Sequence, residues 1–433
     1  MFKSLAIIAV CSAALLASVA NAQSAEDKLF REFRAQPNDL ARYQYLVTAM
    51  PQLSPTDQSF AKQLLATDES ELGLYNEAVR DFPFDNRLPL KGALPKPDQW
   101  LDGQFYNYKS PLVSDADVIA NPTRAVDAIT RLAASRRIVL VDEAHHVAQT
   151  RELTLALLPR LRALGYNYFA PEALTENGST LTKRGYPVAA SGTEYLREPL
   201  YGDILREAIR LGYTIVSYDP VTETPDRDTA QANNLYEKVF AKDPNARLFV
   251  HAGYAHIDKA KGNLYDSQPL GMQLMKLTGF VPLSIDQTQF RGIGPIHQED
   301  IYHQLIDGYR PREPIVLKFE TSGGALWSSD PTKYDVSVIL PEQDEGQRPA
   351  WLTLDGQRHR WPISTDLCAE TVPCVVEADY DNEPDDAIAA DRYTFLQPHT
   401  SSKLYLRPGA YRLRAWDVHG KTLTAQAIQV PGR

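Results

Sequence analysis

Histidines, carboxylates and one arginine gather in short groups along the middle of the chain. The groups are DEAHH at 142–146, PE at 171–172, RD at 227–228 and HAGYAH at 251–256. Imidazole and carboxylate groups held together can take a proton from water and pass one to a leaving group. The same donors can hold a divalent metal ion. The candidate site residues are Glu143, His145, His146, Glu172, Arg227, His251 and His256.

Short apolar runs typical of buried strands precede most of these groups. The runs are IVLV (138–141), YFA (168–170), TIVSY (214–218), LFV (248–250) and VPLSI (281–285). Amphipathic helical patterns separate them, and this alternation predicts an α/β fold with a parallel sheet and flanking helices. Because parallel strands end at one edge of a sheet, we expect the candidate residues to share a cleft there.

Several other function classes lack their sequence signals. No Gly-rich phosphate loop follows the first strand run, which counts against a nucleotide cofactor. The G-x-S-x-G motif of many serine hydrolases is also absent. A formal net charge of -10 gives no broad electrostatic attraction to nucleic acid or anionic membranes. We therefore expect a small-molecule or peptide substrate, and no nucleic acid partner.

The first residues have the pattern of a secretory signal peptide. Lys3 precedes an apolar run at 5–20, and the small-residue pattern ANA follows at 20–22. The run is shorter than the ~20 residues of a membrane span. We therefore expect cleavage after 1–22, export to the periplasm or the exterior, and no membrane span.

Three regions with different patterns follow this segment. Residues 23–100 show helical spacing of apolar residues, and 101–313 show the alternation of strands and helices. Residues 314–433 show alternating strands with hairpin turns, which predicts an antiparallel β-sandwich of immunoglobulin-like type. In an exported protein, Cys368 and Cys374 are expected to form a disulfide in this last region.

The order of the charged motifs over about 138–290 is similar to that of a known superfamily. It joins erythromycin esterase-like hydrolases, ChaN-type haem-uptake lipoproteins and Tiki/TraB proteases. The esterase-like motif G-E-x-x-H-G matches Glu143 and His146. The G-x-x-H motif of the ChaN and Tiki members selects His145 instead, so both histidines stay candidates.

The later motifs of the superfamily also have counterparts. Its second glutamate matches Glu172, its R-D-x-x-M-A-x-N pattern resembles the segment that begins at Arg227, and its final G-x-x-H ends at His256. Two residues depart from the pattern, and so does the spacing of His251 and His256, which are separated by four residues instead of being closely paired. Asp142 stands where the family usually has Gly, and Gln231 stands where Met is usual.

The resemblance implies a hydrolase in which water attacks an ester or amide. A histidine assisted by Glu143 or Glu172 would act as the base. His251 or His256 would stabilise the oxyanion or protonate the leaving group. Members of the superfamily differ in their need for a metal. If a divalent ion is bound here, Glu143, His145 and His256 are its expected ligands.

Two other functions are compatible with the sequence. The first is a non-catalytic uptake protein of ChaN type that binds haem or a metal, with histidines and Tyr254 as axial ligands. The second is a surface interaction protein whose β-sandwich at 314–433 is the working part. Neither requires the cleft to turn over a substrate.

Overall fold

The fold is taken from a computed structural model of the chain. The described residues are 26–83, 120–220, 224, 226–264, 267–292, 301–319, 325–343 and 348–432. The expected signal peptide at 1–22 lies outside them and stays a prediction. Within these ranges, no helix is both long and apolar enough to cross a membrane.

Helices make up the N-terminal region. They are α1 (26–34), α2 (Asp39–Ala49), α3 (Pro55–Glu71) and α4 (Tyr75–Asp81). Asn38 caps α2 by accepting a hydrogen bond from the backbone N–H of Ala41, and Ser54 caps α3 in the same way. These caps fix where the two helices begin.

An eight-stranded sheet forms the centre of the molecule. Its strands are β1 (Ala120–Arg124), β2 (Ile138–Glu143), β3 (Tyr168–Pro171), β4 (Thr214–Ile215), β5 (Leu248–Gly253), β6 (Leu283–Phe290), β7 (Ile315–Phe319) and β8 (Val336–Ile339). Their order is β1-β7-β8-β6-β2-β5-β3-β4, and six of them, from β8 to β4, run parallel. The predicted α/β fold with a parallel-rich sheet is confirmed at this level.

Helices cover both faces of the central strands. They are α5 (Ala125–Ala133), α6 (Thr150–Ala163), α7 (Gly178–Arg184), α8 (Pro199–Arg210), α9 (Arg227–Leu235), α10 (Leu270–Thr278) and α11 (Ile301–Tyr309). Val139 and Val141 share one core with residues of α5, α6 and α8. Ile138 and Leu140 share the opposite core with residues of α9 and α10. Burial on both faces explains why the strand runs read as continuously apolar.

The large sheet also contains two strands that we expected in the C-terminal sandwich. β7 runs antiparallel to β1 and β8, so the sheet is mixed rather than purely parallel. β8 pairs with β6, and all four of its residues are buried. Short apolar runs of this kind fit either a sandwich or a two-sided sheet, because their pattern does not specify the partner strand. The start of the C-terminal region therefore lies after β8, not at residue 314.

Antiparallel strands form the C-terminal region. A four-stranded sheet contains β10 (Cys374–Tyr380), β11 (Asp391–Phe395), β13 (Gly409–Trp416) and β14 (Thr422–Val430). β9 (His359–Ser364) and β12 (Ser401–Leu406) form a separate pair that shares its apolar core. Cys368 and Cys374 form the expected disulfide. These six strands are fewer than the roughly seven of an immunoglobulin constant domain.

One carboxylate connects the N-terminal helices to both other regions. Asp39 accepts hydrogen bonds from Arg42 Nη1 at 2.9 Å, Arg197 Nη1 at 3.0 Å and Arg392 Nη1 at 3.0 Å. Arg197 precedes α8, and Arg392 lies in β11. The helices therefore pack against the rest of the chain through a shared polar contact.

Candidate active site

The register of three parallel strands brings the predicted site residues to one edge of the sheet. Glu143 of β2 pairs with Gly253 of β5, and Pro171 of β3 pairs with His251 of β5. Glu172 follows β3 directly. Residues more than 100 positions apart thus become neighbours, as the strand-end argument predicts.

Glu143 lies between two histidines. Its Oε1 is 2.9 Å from His145 Nδ1, and its Oε2 is 3.1 Å from His251 Nε2. The opposite nitrogen of His251, Nδ1, is 3.0 Å from Thr154 Oγ1 on α6. His251 is fully buried, whereas the His145 side chain is 17% exposed. Only His145 of this pair can meet a substrate without movement of the fold.

A buried arginine that the sequence analysis did not identify completes this group. Arg151 Nε donates to Glu143 Oε2 at 2.6 Å, and its Nη1 donates to Glu198 Oε2 at 3.1 Å. Burial raises the pKa of Glu143, but Arg151, His251 and His145 together hold that pKa well below its usual value. Glu143 is therefore a carboxylate. On α6, Arg151 lies on the buried face with Thr154, three positions away, but no sequence pattern marked it as buried.

The hydrogen-bond chain continues into the N-terminal helices. The hydroxyl of Tyr75, the first residue of α4, donates to Glu198 Oε1 at 2.9 Å. The backbone N–H of Tyr201 donates to Glu198 Oε2 at 3.0 Å. Glu198 thus has both oxygens bonded, and the helical region takes part in building the site.

Aromatic rings and one glycine fix the position of His145. Its ring stacks on Tyr195, with centroids 3.7 Å apart, and meets the Tyr254 ring edge-on at 5.1 Å. A Cβ placed on Gly253 would lie 2.5 Å from His145 Nε2 and 3.2 Å from Glu172 Oε2. His145 therefore presents Nε2 beside the second carboxylate, and only glycine leaves room for it.

Glu172 is the centre of a second group. Its Oε1 accepts from Arg227 Nη2 at 2.6 Å, and its Oε2 accepts a short hydrogen bond from the backbone N–H of Gly253. Burial raises the pKa of Glu172, but His256 and Arg227 outweigh it, so that the pKa is lowered. The structure thus places two ionised carboxylates at one edge of the sheet.

His256 lies between two acids. Its Nδ1 is 2.8 Å from Asp228 Oδ1, and its Nε2 is 3.5 Å from Glu172 Oε1. Burial lowers the pKa of His256, and the charge of Arg227 acts in the same sense. Glu172 and Asp228 outweigh both, so the pKa is raised. Arg227 itself is fixed by Asp219, to which its Nε donates at 2.8 Å.

The two residues that depart from the superfamily pattern have defined partners. Gln231 Nε2 donates to Asp219 Oδ1 at 2.8 Å, so it supports the acid that fixes Arg227. Asp142 is buried in β2 and accepts from the backbone N–H of Gln287 at 2.8 Å. Burial and then the charge of Asp286 raise the pKa of Asp142 well above its usual value. Both residues are therefore buried supports of the candidate site and do not contact a substrate directly.

His146 points away from Glu143. Its Nδ1 is 3.1 Å from the Tyr254 hydroxyl, and its ring stacks on Phe82 with centroids 3.7 Å apart. Burial, together with the charges of Arg291 and His145, lowers the pKa of His146 well below its usual value. Of the two adjacent histidines, the structure brings His145 to the carboxylates.

The donor set of this cleft does not fit a divalent metal ion. Both oxygens of Glu143 already accept hydrogen bonds from Arg151. Across the described ranges, the predicted ligands Glu143, His145 and His256 do not form a group whose ligand atoms lie within 4.8 Å of one another.

The predicted axial ligands for haem are also engaged. Tyr254 has its hydroxyl against His146 Nδ1, and Phe82 covers one face of the His146 ring. Axial ligation needs a side chain that presents its donor atom to the iron. This arrangement does not present Tyr254 or His146 in that way.

Among known proteins, only solved structures match this chain, and each of the three matches given below covers less than half of it. No family model matches the chain, and no curated protein matches it. Among solved structures, the MARTX toxin effector domain RRSP from Vibrio vulnificus CMCP6 matches at 19% identity, with a TM-score of 0.26, over 35% of this chain and 34% of that one. The type III effector HopBA1 matches at 16% identity, with a TM-score of 0.28, over 43% and 95%. A chain described as "Bacterial protein toxins" matches at 15% identity, with a TM-score of 0.27, over 35% of each.

The matching region thus spans about a third of the length of two of these three chains. No family model and no curated protein supports the resemblance to erythromycin esterase-like and ChaN-type proteins. The superfamily assignment accordingly stays a prediction.

Proposed function

We propose that the protein is a hydrolase in which His145 takes a proton from a water molecule that attacks an ester or amide carbonyl. The contact of 2.9 Å between Glu143 Oε1 and His145 Nδ1 carries this proposal. A carboxylate behind Nδ1 keeps the proton on that nitrogen and leaves Nε2 to accept another. Nε2 lies beside Gly253 and Glu172, at the partly exposed side of the group.

The second group supplies positive charge for the same reaction. His256, whose pKa is raised, protonates the leaving group or stabilises the oxyanion as the carbonyl is attacked. Arg227 is a positioning residue, since its guanidinium is bonded to Asp219 and Glu172. His251 is also a positioning residue, because its burial keeps it from the substrate.

This reaction is the one that the resemblance to erythromycin esterase-like and Tiki proteins implies. We further propose that the substrate is a small molecule or peptide. The pattern of residues 1–22 supports export.

The test is a hydrolysis screen with purified protein on p-nitrophenyl esters and fluorogenic peptides. For a substrate that is turned over, His145→Asn and Glu143→Gln should each lower kcat/KM by about 100-fold or more. The exposed His419 provides the control, and His419→Asn should keep the wild-type rate. Full activity in a folded His145→Asn protein, as judged by circular dichroism, would disprove the proposal.

A further inference from the structure

A group of acids lies outside the cleft, between the N-terminal helices and the rest of the chain. Asp39 begins α2, and Asp68 and Glu71 lie one turn apart at the end of α3. One ligand atom from each of the three lies within 4.8 Å of the other two. Asp68 is 1% exposed and Glu71 is 2% exposed.

The end of α3 is an unfavourable place for these charges. Its last turn also contains Glu69, and it contains no basic residue. The carboxyl end of a helix carries partial negative charge, which favours cations and disfavours carboxylates. Both side chains are also buried away from water, which disfavours an uncompensated negative charge. A compensating cation would remove the conflict.

Three of the four carboxylate oxygens of the two helix-end acids lack hydrogen-bond partners among the described residues. Within the described part of the chain, neither carboxylate oxygen of Asp68 has a hydrogen-bond partner, and Glu71 Oε2 has none. Asp39 is different, since three arginines bond to it. These arginines balance Asp39 but do not donate to Asp68. A buried polar atom normally has a partner, so the unpartnered oxygens point to a missing ligand.

We propose that Asp39, Asp68 and Glu71 bind a hard divalent cation, and that this cation is calcium. All three donors are carboxylate oxygens, which calcium and magnesium prefer over softer metals. Asp68 and Glu71 supply the two negative charges that balance the ion, because Asp39 already faces arginines. Calcium tolerates irregular oxygen cages, whereas magnesium demands near-octahedral geometry and keeps several waters.

An ion at this position would hold α2 and α3 together where they meet the last region of the chain. Asp39 contacts Arg392 in β11, and Thr394 Oγ1 donates to the carbonyl of Leu72 next to α3. The bound ion should therefore stabilise the folded protein. Calcium binding at this cluster is independent of the hydrolase proposal, because none of the three acids belongs to the candidate active site.

The test uses the full chain after treatment with EDTA. Adding about 1 mM CaCl2 should raise Tm by roughly a few °C, since the ion binds only the folded state. Asp68→Asn should abolish this rise. Asp385→Asn should keep it, because Asp385 is an acid with a 73% exposed side chain outside the cluster. Calorimetric titration with CaCl2 should detect binding to the wild-type protein and none to Asp68→Asn.

Two results would overturn the proposal. One is the absence of both a binding heat and a Tm rise with calcium and with magnesium, which would show that the three acids hold no such ion. The other is a calcium-dependent Tm rise that persists in Asp68→Asn and in Glu71→Gln, which would locate the ion elsewhere. If Asp68→Asn fails to fold, Glu71→Gln replaces it. A response to magnesium alone that both variants lose would support the site and overturn the choice of calcium.

Discussion

The two carboxylates of the cleft are both paired with arginine, but in different surroundings. The Arg151 side chain beside Glu143 is 0% exposed, whereas the Arg227 side chain beside Glu172 is 42% exposed. Both glutamates have a lowered pKa, because the positive partners outweigh the effect of burial. The same chemical pair therefore serves one group that belongs to the core and another that faces solvent.

The difference in exposure between the two arginines indicates that the two groups have different roles in the site. In the interior, removing one partner of an ion pair leaves a charge that water cannot reach. At the surface, water and salt screen the charges, and a partner can move with little cost. We infer that the side chains around Glu143 keep one arrangement, and that those around Glu172 can rearrange when a substrate binds.

The largest expected effect is on stability, and it should appear in only one of the two groups. Arg151→Gln leaves the carboxylates of Glu143 and Glu198 buried without their cation, so we expect a loss of about 3–5 kcal/mol of unfolding free energy. Arg227→Gln should cost less, because the Arg227 side chain is 42% exposed and water can take its place beside Glu172. Urea denaturation followed by circular dichroism measures both values. Equal losses would show that burial does not distinguish the two pairs.

A smaller effect on stability, with a large effect on activity, is expected where the two groups meet. Gly253→Ala places a methyl group 2.4 Å from His145 Cε1, so the imidazole must turn away from Glu143. We expect a loss of about 1–3 kcal/mol from overpacking. We also expect kcat/KM to fall by about 100-fold from misplacement of the base. Gly432→Ala is the control, because a Cβ there meets nothing within 4 Å. Wild-type activity in Gly253→Ala would contradict the placement of His145.

The smallest expected effect is a dependence of stability on pH that separates His256 from His146. The pKa of His256 is raised, so its contribution is complete below the unfolded value of about 6.5 and is lost as the pH rises through the folded value. The pKa of His146 is lowered, so its contribution is present above about 6.5 and is lost as the pH falls.

Melting temperatures from about pH 5 to 9 test both signs. The difference in Tm between wild type and His256→Asn should shrink as the pH rises, whereas that between wild type and His146→Asn should grow. If either trend were reversed, the assigned direction of that histidine's pKa shift would be wrong.

The coarse features of the fold and of the cleft could be read from the sequence because they depend on local patterns. Apolar runs separated by amphipathic helices indicate a parallel sheet, and parallel strands place their ends at one edge. That argument was sufficient to predict that Glu143, Glu172 and His256 lie close together. The observed strands β2 and β5 extend further than the apolar runs, so that Glu143 and His251 are strand residues.

Other features depend on contacts that no local pattern records. Arg151 lies in an amphipathic helix, where a charged residue usually faces solvent. Tyr195 and Glu198 belong to the segment 183–199, whose composition resembles an ordinary loop. Adjacent positions such as 145 and 146 differ only in the direction of the side chain, which the path of the backbone after β2 decides.

The contact between Asp39 and Arg392 has a consequence for how the chain assembles. The two residues are 353 positions apart, and nearby Asn38 Nδ2 donates to the carbonyl of Val418, 380 positions away. During synthesis, the first helices leave the ribosome long before these partners exist. They must wait for nearly the whole chain, and contacts of such separation slow folding because a long loop has to close first. The N-terminal helices are thus made first and completed last.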